Sequence, residues 1–444
     1  MGRLIAALGL LLAVVWQAAA WPLPFGAGTG NRVAPGAGSF PRWHALALAT
    51  DAPIKWLVAL PPRRLAAVDR DGAFLVFEVA PAAVRLIARY GGVASPDGPP
   101  VAVRLDQEQT GVVLVAPDGR LLVWGDGVLR SYDVGGPLSP LTFPAPVAVE
   151  GRASSDLLAV TQDGAVVLIG GLAAGNPRAL ARVDVRALHD ARITIADLDG
   201  DGASEAVVLA DAAPPGAPGG RQAATSLAVI RVRPYGLDLR TRLTLTSPAA
   251  FDARAAVLAP IGASARPAVL TVRTTPGQGG ALVAFALRES GLALVAEGPA
   301  PQADRFTHLI AATDLSGDGV PEIVAVVAPH ADGALTAYRR AGGALNAVAS
   351  VAGFASHAAD SRNEEQALIA DLDGDGRPEV VLPRQAREVL VALEVRGERF
   401  AERWAIDFKS PLSSNLVAAD LDGDGLLDLA VAVRRGLHVF LSVR

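Results

Sequence analysis

The sequence of 444 residues contains no cysteine. Disulfide bonds are therefore excluded, and so is a lipoprotein anchor, because its lipid is attached to a cysteine. Lysine is nearly absent: Lys55 and Lys409 are the two lysines among 40 basic residues, and the net charge is −5. Because no basic block is present, the composition disfavours binding to nucleic acid.

Charged residues are also scarce, at 19%, while hydrophobic residues make up 51% of the chain. Glycine and proline are abundant, with 46 and 32 residues. This combination excludes a disordered chain and is typical of many short strands that are joined by turns. We therefore expect an all-β protein.

The first residues have the pattern of a secretory signal peptide. The basic start Met1–Arg3 is followed by the apolar run Leu4–Val15 and by the small-residue end Gln17–Ala20. We expect residues 1–20 to be removed on export, which predicts a periplasmic or extracellular protein without a transmembrane domain. The alternative is an uncleaved anchor helix, although the apolar run is short for a membrane span.

Four acidic stretches repeat along the chain, each between two apolar runs. They read ADLDGDGASE, TDLSGDGVPE, ADLDGDGRPE and ADLDGDGLLD, at residues 196–205, 313–322, 370–379 and 419–428. The repeat predicts a strand, a nine-residue loop and a second strand. PIGASARPA at residues 260–268 keeps the length without the carboxylates. Three upstream hairpins are interpreted as weaker copies, with turns at Asp71–Gly72, Asp118–Gly119 and Asp163–Gly164.

These hairpins recur at a spacing of about 40–60 residues, and further strands lie between them. Four strands per repeat at this spacing are typical of a β-propeller. We expect residues 42–444 to form one propeller of four-stranded antiparallel blades, with eight blades favoured and seven as the alternative. Trp43–Ala49 would supply the outer strand of the last blade and close the ring. Residues 21–41, rich in Gly, Pro and Ala, are expected to be a tether.

The acidic loops have the chemistry of calcium sites. Carboxylates at loop positions 1, 3 and 5 converge on one point, and glycines at positions 4 and 6 permit the backbone angles that this needs. Ca²⁺ accepts six to eight oxygens at about 2.3–2.6 Å, whereas Mg²⁺ demands a tighter octahedron. An EF-hand is excluded because position 12 is apolar, as at Leu382, and because an acid stands at position 9 instead.

The pattern D-x-D-G-D-G-x-x-[DE] between two strands resembles the FG-GAP or VCBS-type repeats of integrin α-subunit heads and of secreted bacterial proteins. The resemblance implies that calcium is held by the side chains at positions 1, 3, 5 and 9 and by the carbonyl at position 7, and that it braces the blade. The implied ligands are Asp197, Asp199, Asp201, Ala203 and Glu205; Asp314, Ser316, Asp318, Val320 and Glu322; Asp371, Asp373, Asp375, Arg377 and Glu379; and Asp420, Asp422, Asp424, Leu426 and Asp428. Ser316 replaces a carboxylate, so the second of these four sites is expected to be the weakest. The Phe-Gly and Gly-Ala-Pro pieces that name the family are not recognisable, which leaves the subfamily open.

A second set of candidates lies in the segments that precede the first strand of a blade. In propellers, ligands usually contact the face that these segments form, and Asp and Arg recur there. The candidate ligand face comprises His189, Asp190, Arg192, Asp252, Arg254, Asp304, Arg305, His308, His357, Asp360 and Arg362. The arginines could hold an anionic or carboxylate-bearing ligand. The alternative is that the Asp and Arg side chains form ion pairs between neighbouring blades, and that the histidines belong to the surface or to such a network.

Two functional classes follow. The first is a binding or scaffold protein that presents a surface to a protein or glycan ligand, with calcium in a structural role; no nucleophile motif or zinc cluster points to catalysis. The second is a calcium-dependent polysaccharide lyase or hydrolase with its site at the channel mouth. A quinoprotein dehydrogenase is a third option for eight blades, but the six tryptophans mark no periodic position. The sequence does not name the ligand.

Overall fold

The computed structural model describes residues 29–444, except residues 107–108, 150–153, 215–222, 263, 304 and 360. Every regular element in this part of the chain is a β-strand. Within these residues there is no helix long and apolar enough to span a bilayer. The predicted signal peptide lies outside the described residues.

Most strands form four-stranded antiparallel units whose neighbours follow one another in the chain. In the first half of the chain the units are β3 (Ile54–Ala59), β4 (Arg64–Asp69), β5 (Phe74–Ala80) and β6 (Ala83–Tyr90); β7 (Val101–Arg104), β8 (Thr110–Val115), β9 (Leu121–Gly125) and β10 (Val128–Tyr132); β11 (Ala145–Val147), β12 (Asp156–Val160), β13 (Ala165–Gly170) and β14 (Arg178–Asp184); and β15 (Thr194–Ala196), β16 (Glu205–Ala212), β17 (Ala224–Arg233) and β18 (Gly236–Thr244).

The second half repeats this arrangement after the two-residue strand β19 (Ala250–Phe251). Its units are β20 (Val257–Ala259), β21 (Ala268–Thr274), β22 (Ala281–Arg288) and β23 (Gly291–Glu297); β24 (Thr307–Thr313), β25 (Glu322–Val327), β26 (Ala334–Ala341) and β27 (Ala344–Ala352); β28 (Leu368–Asp371), β29 (Glu379–Pro383), β30 (Val389–Arg396) and β31 (Arg399–Asp407); and β32 (Val417–Ala419), β33 (Asp428–Val433), β34 (Gly436–Ser442) and, from the N-terminal end, β2 (Trp43–Ala49).

Burial explains why the second strands of the units appear in the sequence as apolar runs. All six residues of β33 are buried, as are the first six of β16, because these second strands are covered on both faces. The outer strand β31 instead has one buried residue, Trp404, among nine. The inner strands therefore form the contacts between neighbouring units, and the outer strands face solvent on one side.

The acidic loops join the first and second strands of their units, at β15–β16, β24–β25, β28–β29 and β32–β33. PIGASARPA joins β20 and β21 in the same way. The three upstream Asp-Gly turns, however, join the second and third strands, as β4–β5 shows. Their interpretation as weaker copies of the acidic loop is therefore wrong, because they belong to the next hairpin of the unit. Two apolar strands around a turn give the same local sequence pattern in the first hairpin and in the second.

The glycines of these upstream turns have a separate structural reason. Gly72 has φ 76°, and a Cβ at this position would lie 2.4 Å from the carbonyl oxygen of Ala94. The amide of Ala94 in turn donates to the carbonyl of Gly72. The glycine therefore lets the chain pack against this turn as it passes to the next unit.

The expected tether differs from the structure over residues 29–41. Strand β1 (Val33–Ala37) pairs in parallel with β28, and the amides of Gly38 and Phe40 donate to the carbonyls of Asp371 and Leu372. The segment of residues 29–40 also contacts other first strands: Leu258 donates to the Thr29 carbonyl, and Asn31 makes two hydrogen bonds with Ala312. The rest of the expected tether lies outside the described residues.

Tight packing explains the small residues of this segment. A Cβ on Gly38 would lie 2.4 Å from the carbonyl oxygen of Leu372, and one on Gly30 would lie 2.5 Å from that of Ala256. Phe40 is 2% exposed and packs against the rings of Trp43 and Trp404, at centroid distances of 4.9 and 5.1 Å. The Gly and Ala content that predicted a flexible tether thus serves close approach to the inner strands.

Strand β2 follows directly. It pairs with β34 over seven residues, from Trp43 opposite Ser442 to Ala49 opposite Gly436. An N-terminal strand thereby completes the four-stranded unit that the last three strands of the chain begin. The two ends of the described chain are held together by this pairing.

Candidate functional site

The four acidic loops share one backbone geometry. In the third loop, the carboxylate of Asp371 accepts hydrogen bonds from the amides of Gly374 and Gly376, at 2.8 and 3.0 Å. Glu379 accepts one from the amide of Leu372, at 2.9 Å. The other three loops repeat these bonds at the same positions. The acid at position 1 therefore shapes the turn, and the acid at position 9 anchors it to the second strand.

Carboxylate oxygens converge in three of the loops. In each group, one oxygen per residue lies within 4.8 Å of the others: Asp371, Asp373, Asp375 and Glu379; Asp197, Asp199 and Glu205; and Asp420, Asp422 and Asp428. Among the described residues, the second loop forms no such group, and Ser316 stands there in place of a carboxylate. At position 7, the amides of Ala203, Val320, Arg377 and Leu426 donate to the acid at position 5. A role of their carbonyls in holding a metal stays a prediction.

Within the third loop, and likewise within the fourth, the negative charges of the carboxylates repel one another. Burial, together with the charges of Asp373 and Asp371, raises the pKa of Glu379 to about 8. Burial and the charges of Asp422 and Asp420 raise the pKa of Asp428 to about 7. Carboxylates with raised pKa values in a converging group are stabilised as anions by a bound cation, which fits a metal with oxygen ligands.

A cavity of about 1250 Å³ lies between the first strands of the units. It is lined by residues of these strands, by Arg32 of the segment of residues 29–40, and by the inter-unit connections, which are the segments between the last strand of one unit and the first of the next. Phe143 lies on its wall, and the guanidinium carbon of Arg192 sits 4.1 Å from the centre of this ring.

Most of the predicted Asp and Arg side chains meet at this cavity, but with other partners than expected. Arg192 pairs with Glu365 at 2.5 Å, and Arg254 pairs with Asp190 at 3.1 Å. Arg254 also binds Glu364 at 2.6 Å, and Arg362 binds Asp190 at 2.8 Å. These ion pairs join inter-unit connections that are far apart in the chain, which corresponds to the network alternative rather than to arginines held open for a ligand.

The other predicted residues of this face stand apart from the network. Arg305 pairs with Asp332 at 2.8 Å in an exposed position, and the His189 side chain is exposed while its carbonyl accepts the Ser139 hydroxyl. Asp304 and Asp360 lie outside the described residues. The four Asp and Arg pairs therefore do not act as equivalent members of one ring.

The inter-unit connection of residues 356–366 contributes several described residues to the cavity lining. Asn363 donates to the carbonyl of Lys55 at 2.6 Å, and the carbonyl of Glu365 accepts from the amide of Leu416. Arg32 donates to the carbonyl of Glu364. Together with the ion pairs above, these contacts tie the connection to the units that begin with β3, β15, β20 and β32.

Three histidines form a cluster on the cavity wall. The Ser356 hydroxyl lies 2.8 Å from Nδ1 of His308 and 3.0 Å from Nδ1 of His357, and the rings of His357 and His330 are 4.6 Å apart. Burial lowers the pKa of His308 and of His357 well below the usual value, and the neighbouring histidines and Arg32 lower it further. Both rings are therefore neutral at neutral pH.

Sequence reasoning missed several members of this site. His330 follows a second strand rather than an inter-unit connection, so the recurrence of Asp and Arg gave no signal for it. Arg32 lies in the expected tether. Glu364 and Glu365 lie in the same connection as the predicted Asp360 and Arg362. Their closeness to Arg362 in the sequence was a signal for them.

Asp252 has a buried carboxyl group at the cavity whose charge is poorly compensated. Its Oδ2 is buried without a hydrogen-bond partner among the described residues. Burial and the charge of Glu364 raise the pKa of Asp252 to about 7, against the opposing effect of Arg254. In the unfolded chain this pKa is near 3.8, so the contribution of Asp252 to the stability becomes less favourable as the pH rises from about 4 to about 7.

We expect the Asp252→Asn variant to lose this dependence. Its stability advantage over the wild type should grow by about 2–3 kcal/mol between pH 5 and pH 8, because the amide carries no charge to bury. Urea denaturation at the two pH values measures this difference. Asp332→Asn is the matched control, since Asp332 is exposed and paired with Arg305; it should change stability by less than about 1 kcal/mol. Parallel pH curves for Asp252→Asn and the wild type would contradict the assignment.

The family described as FG-GAP-like repeat matches residues 314–382 and 371–431. These ranges begin at position 1 of the second acidic loop and include the third and fourth. The chain carries FG-GAP-like repeats. The matched residues cover the second, third and fourth acidic loops and most of the strands beside them.

Solved propeller structures resemble the whole chain. The quinohemoprotein alcohol dehydrogenase ADHIIG from Pseudomonas putida HK5 is 11% identical, with a TM-score of 0.59 over 93% of this chain and 79% of that one. The quinohemoprotein alcohol dehydrogenase from Comamonas testosteroni is 11% identical, with a TM-score of 0.55 over 91% and 77%. Sqt1 from Saccharomyces cerevisiae is 10% identical, with a TM-score of 0.54 over 92% and 100%. At these identities the likeness concerns the fold alone: this FG-GAP-like repeat protein has a propeller-like architecture.

Proposed function

We propose that this protein is an exported, calcium-binding propeller that acts as a binding or scaffold module for a protein or glycan ligand, with calcium in a structural role. Three observations support the parts of this proposal: the units and their joining strand, the converging carboxylates, and the internal pairing of the cavity charges. The N-terminal pattern of the sequence supports export.

The units support eight blades. In the part of the chain that the structure describes there are eight four-stranded units, and the first strands of seven of them line the cavity; β28 is the exception. The pairing of β2 with β34 supports closure of the ring by the N-terminal strand, which removes an open edge. The PIGASARPA hairpin between β20 and β21 counts as a blade in this arrangement, and the seven-blade alternative would require two units to merge.

The converging carboxylates support calcium. The residues that would hold it are the acids at positions 1, 3, 5 and 9, in the loops that join the first and second strands of the units. Bound there, the ion would supply positive charge that joins the first and second strands of a blade. Extracellular modules bind calcium at about 10⁻⁴–10⁻³ M, so such sites fill outside the cytoplasm.

The ion-pair network is the observation that favours a scaffold over an enzyme. Arg192, Arg254 and Arg362 are already bound to carboxylates of the same chain. Residues of the segment of residues 29–40 and of the connection of residues 356–366 line the same cavity. Because these groups satisfy one another, the outer surfaces of the blades are the better candidates for contact with a partner.

One observation favours the alternative, a polysaccharide lyase or hydrolase that depends on calcium. His308 and His357 are neutral at neutral pH, and Asp252 has a pKa near neutrality. These groups line one cavity and could act as base and acid. The cavity would then be the active site, and the connection of residues 356–366 would have to move for a polymer to enter.

A panel of neutral and acidic polysaccharides and of extracellular proteins, tested for both binding and depolymerisation, separates the two functions. We expect saturable binding to a member of the panel without product formation, and unchanged binding by the His357→Gln variant. Turnover of a polysaccharide that is lost in His357→Gln, while the variant keeps the wild-type melting midpoint, would contradict the scaffold function. Arg305→Ala is the control variant, since Arg305 stands apart from the cavity network.

A further inference from the structure

The first acidic loop already contains two cations of its own chain. Arg231 of β17 stands directly opposite Glu205 and binds Asp201 at 2.6 Å and Asp199 at 3.3 Å. Arg240 of β18 binds Glu205 at 3.1 Å and also contacts Asp199. The guanidinium groups thus lie among the same carboxylates that would surround a metal ion.

The second loop repeats this arrangement with one arginine. Arg339 of β26 binds Asp318 and the hydroxyl of Ser316 through Nη2, at 2.7 and 2.8 Å. Its Nε donates to Glu322 at 2.7 Å. A single guanidinium therefore contacts loop positions 3, 5 and 9, and the remaining acid, Asp314, is engaged by backbone amides.

The third loop has an arginine on its acids at positions 3 and 5, but the described residues place none on its acid at position 9. Its strand register places Val380 opposite Leu393, which brings the buried acid Glu394, rather than a basic residue, next to Glu379. Arg403 reaches Asp373 at 2.6 Å and Asp375 at 3.5 Å but makes no ion pair with Glu379 in the described structure. Glu379 is fully buried, and its Oε1 has no hydrogen-bond partner although three other carboxylates converge on it.

The fourth loop differs from the other three. Among the described residues, no arginine or lysine forms an ion pair with its four aspartates. Arg63 and Arg444 instead donate to the backbone carbonyls of Asp422 and Asp424, at 2.8 and 2.6 Å. The oxygens of Asp420, Asp422 and Asp428 still converge within 4.8 Å. Within the described part of the chain, these carboxylates are thus not paired with a basic side chain at salt-bridge distance.

A guanidinium and a calcium ion exclude each other at such a position. Arginine donates several hydrogen bonds to carboxylates and stays charged at any relevant pH. A divalent ion that entered the first or second loop would have to displace these bonds and would be repelled by a like charge only a few ångströms away.

We propose that arginine side chains take the place of the metal ion in the first two acidic loops, so that the protein holds calcium in the third and fourth loops alone. Arg231 and Arg240 fill the first loop, and Arg339 fills the second. The number of ions is then two rather than the four that the sequence pattern implies. This inference rests on the proposed calcium binding and specifies which loops carry it.

Native mass spectrometry of the folded full chain, titrated with calcium chloride, counts the ions, and calorimetric titration confirms the number. We expect two. Glu379→Gln and Asp428→Asn should each lower the number by one, whereas Asp199→Asn and Asp318→Asn should leave it at two. The double variant Arg231→Ala, Arg240→Ala should gain one ion because it frees the carboxylates of the first loop.

The outcomes separate this inference from the proposed function. Four ions in the wild type, or loss of an ion in Asp199→Asn, would overturn the arginine assignment and leave calcium binding intact. The absence of any bound ion would overturn the calcium proposal itself. If the double arginine variant does not fold, Arg231→Gln and Arg240→Gln as single changes, together with the four carboxylate variants, still decide between two and four.

Discussion

The Phe40→Ala variant is expected to lose about 3–5 kcal/mol of unfolding free energy, as is usual when a buried phenylalanine is replaced by alanine. Phe40 is 2% exposed and belongs to a core cluster with Leu372, Leu427 and Trp404. Removing its ring leaves a void between the aromatic rings of Trp43 and Trp404. Because the segment of residues 29–40 is held by this contact, its pairing with β28 should weaken as well.

Urea denaturation of the wild type and the variant measures the effect. Phe306→Ala is the matched control, since Phe306 is 44% exposed and should change stability by less than about 1 kcal/mol. A flexible tether, as the composition of residues 21–41 predicts, would make both substitutions equally harmless. Equal stability of Phe40→Ala and the wild type would therefore contradict the packing of this segment.

Removal of calcium is expected to lower the unfolding free energy by about 1–4 kcal/mol. This range follows for two ions at about 2 mM free calcium with dissociation constants of about 10⁻⁴–10⁻³ M, because a ligand of the folded state stabilises by RT ln(1 + [L]/Kd). The physical reason is the crowding of carboxylates in the third and fourth loops, where Glu379 and Asp428 are buried. Without the ion, their negative charges repel one another within a tight turn.

Scanning calorimetry in calcium and in a chelator gives the two melting midpoints. The chelator should lower the midpoint of the wild type and should have a smaller effect on Glu379→Gln, which lacks one of the ligands. Magnesium at the same concentration should restore less of the midpoint because it demands shorter bonds and a regular octahedron. Identical wild-type midpoints in calcium and in chelator would contradict a structural role for the metal.

The acidic loops show which features of the fold can be predicted from local sequence. Asp371, Gly374, Gly376 and Glu379 define the loop because each makes a contact within nine residues: the glycine amides bind Asp371, and Glu379 closes on Leu372. A turn of this kind is determined by its own side chains and by the positive φ of its glycines. Its place between two strands of a propeller-like unit was therefore readable from the repeat.

The side chains that neighbouring strands place beside these loops could not be predicted in the same way. Arg231 is 26 residues from Glu205 along the chain, and only the register of β16 against β17 places them opposite each other. Had this register differed by one residue, Arg231 would have faced the other side of the sheet. The same reasoning applies to Glu394, which stands at the corresponding place beside Glu379.

Composition was misleading at the N-terminal segment. Glycine, alanine and proline are typical of linkers, yet they also permit a chain to lie against the backbone of its neighbours. Gly38 shows the second use, because a side chain there would meet the Leu372 carbonyl at 2.4 Å. Whether small residues mean freedom or close contact depends on what lies beside them, and a single sequence does not contain that information.

The all-β class, the four acidic loops and the strands around them follow from local sequence, since they depend on alternation, on apolar runs and on contacts within one turn. Three features are visible in the folded structure alone: Arg192 binds Glu365 across 173 residues, residues 29–40 lie along the inner strands, and arginines reach the position 9 acid in two of the four loops. These features depend on which units become neighbours and on strand register. They arise from packing between distant segments, which local propensities leave open.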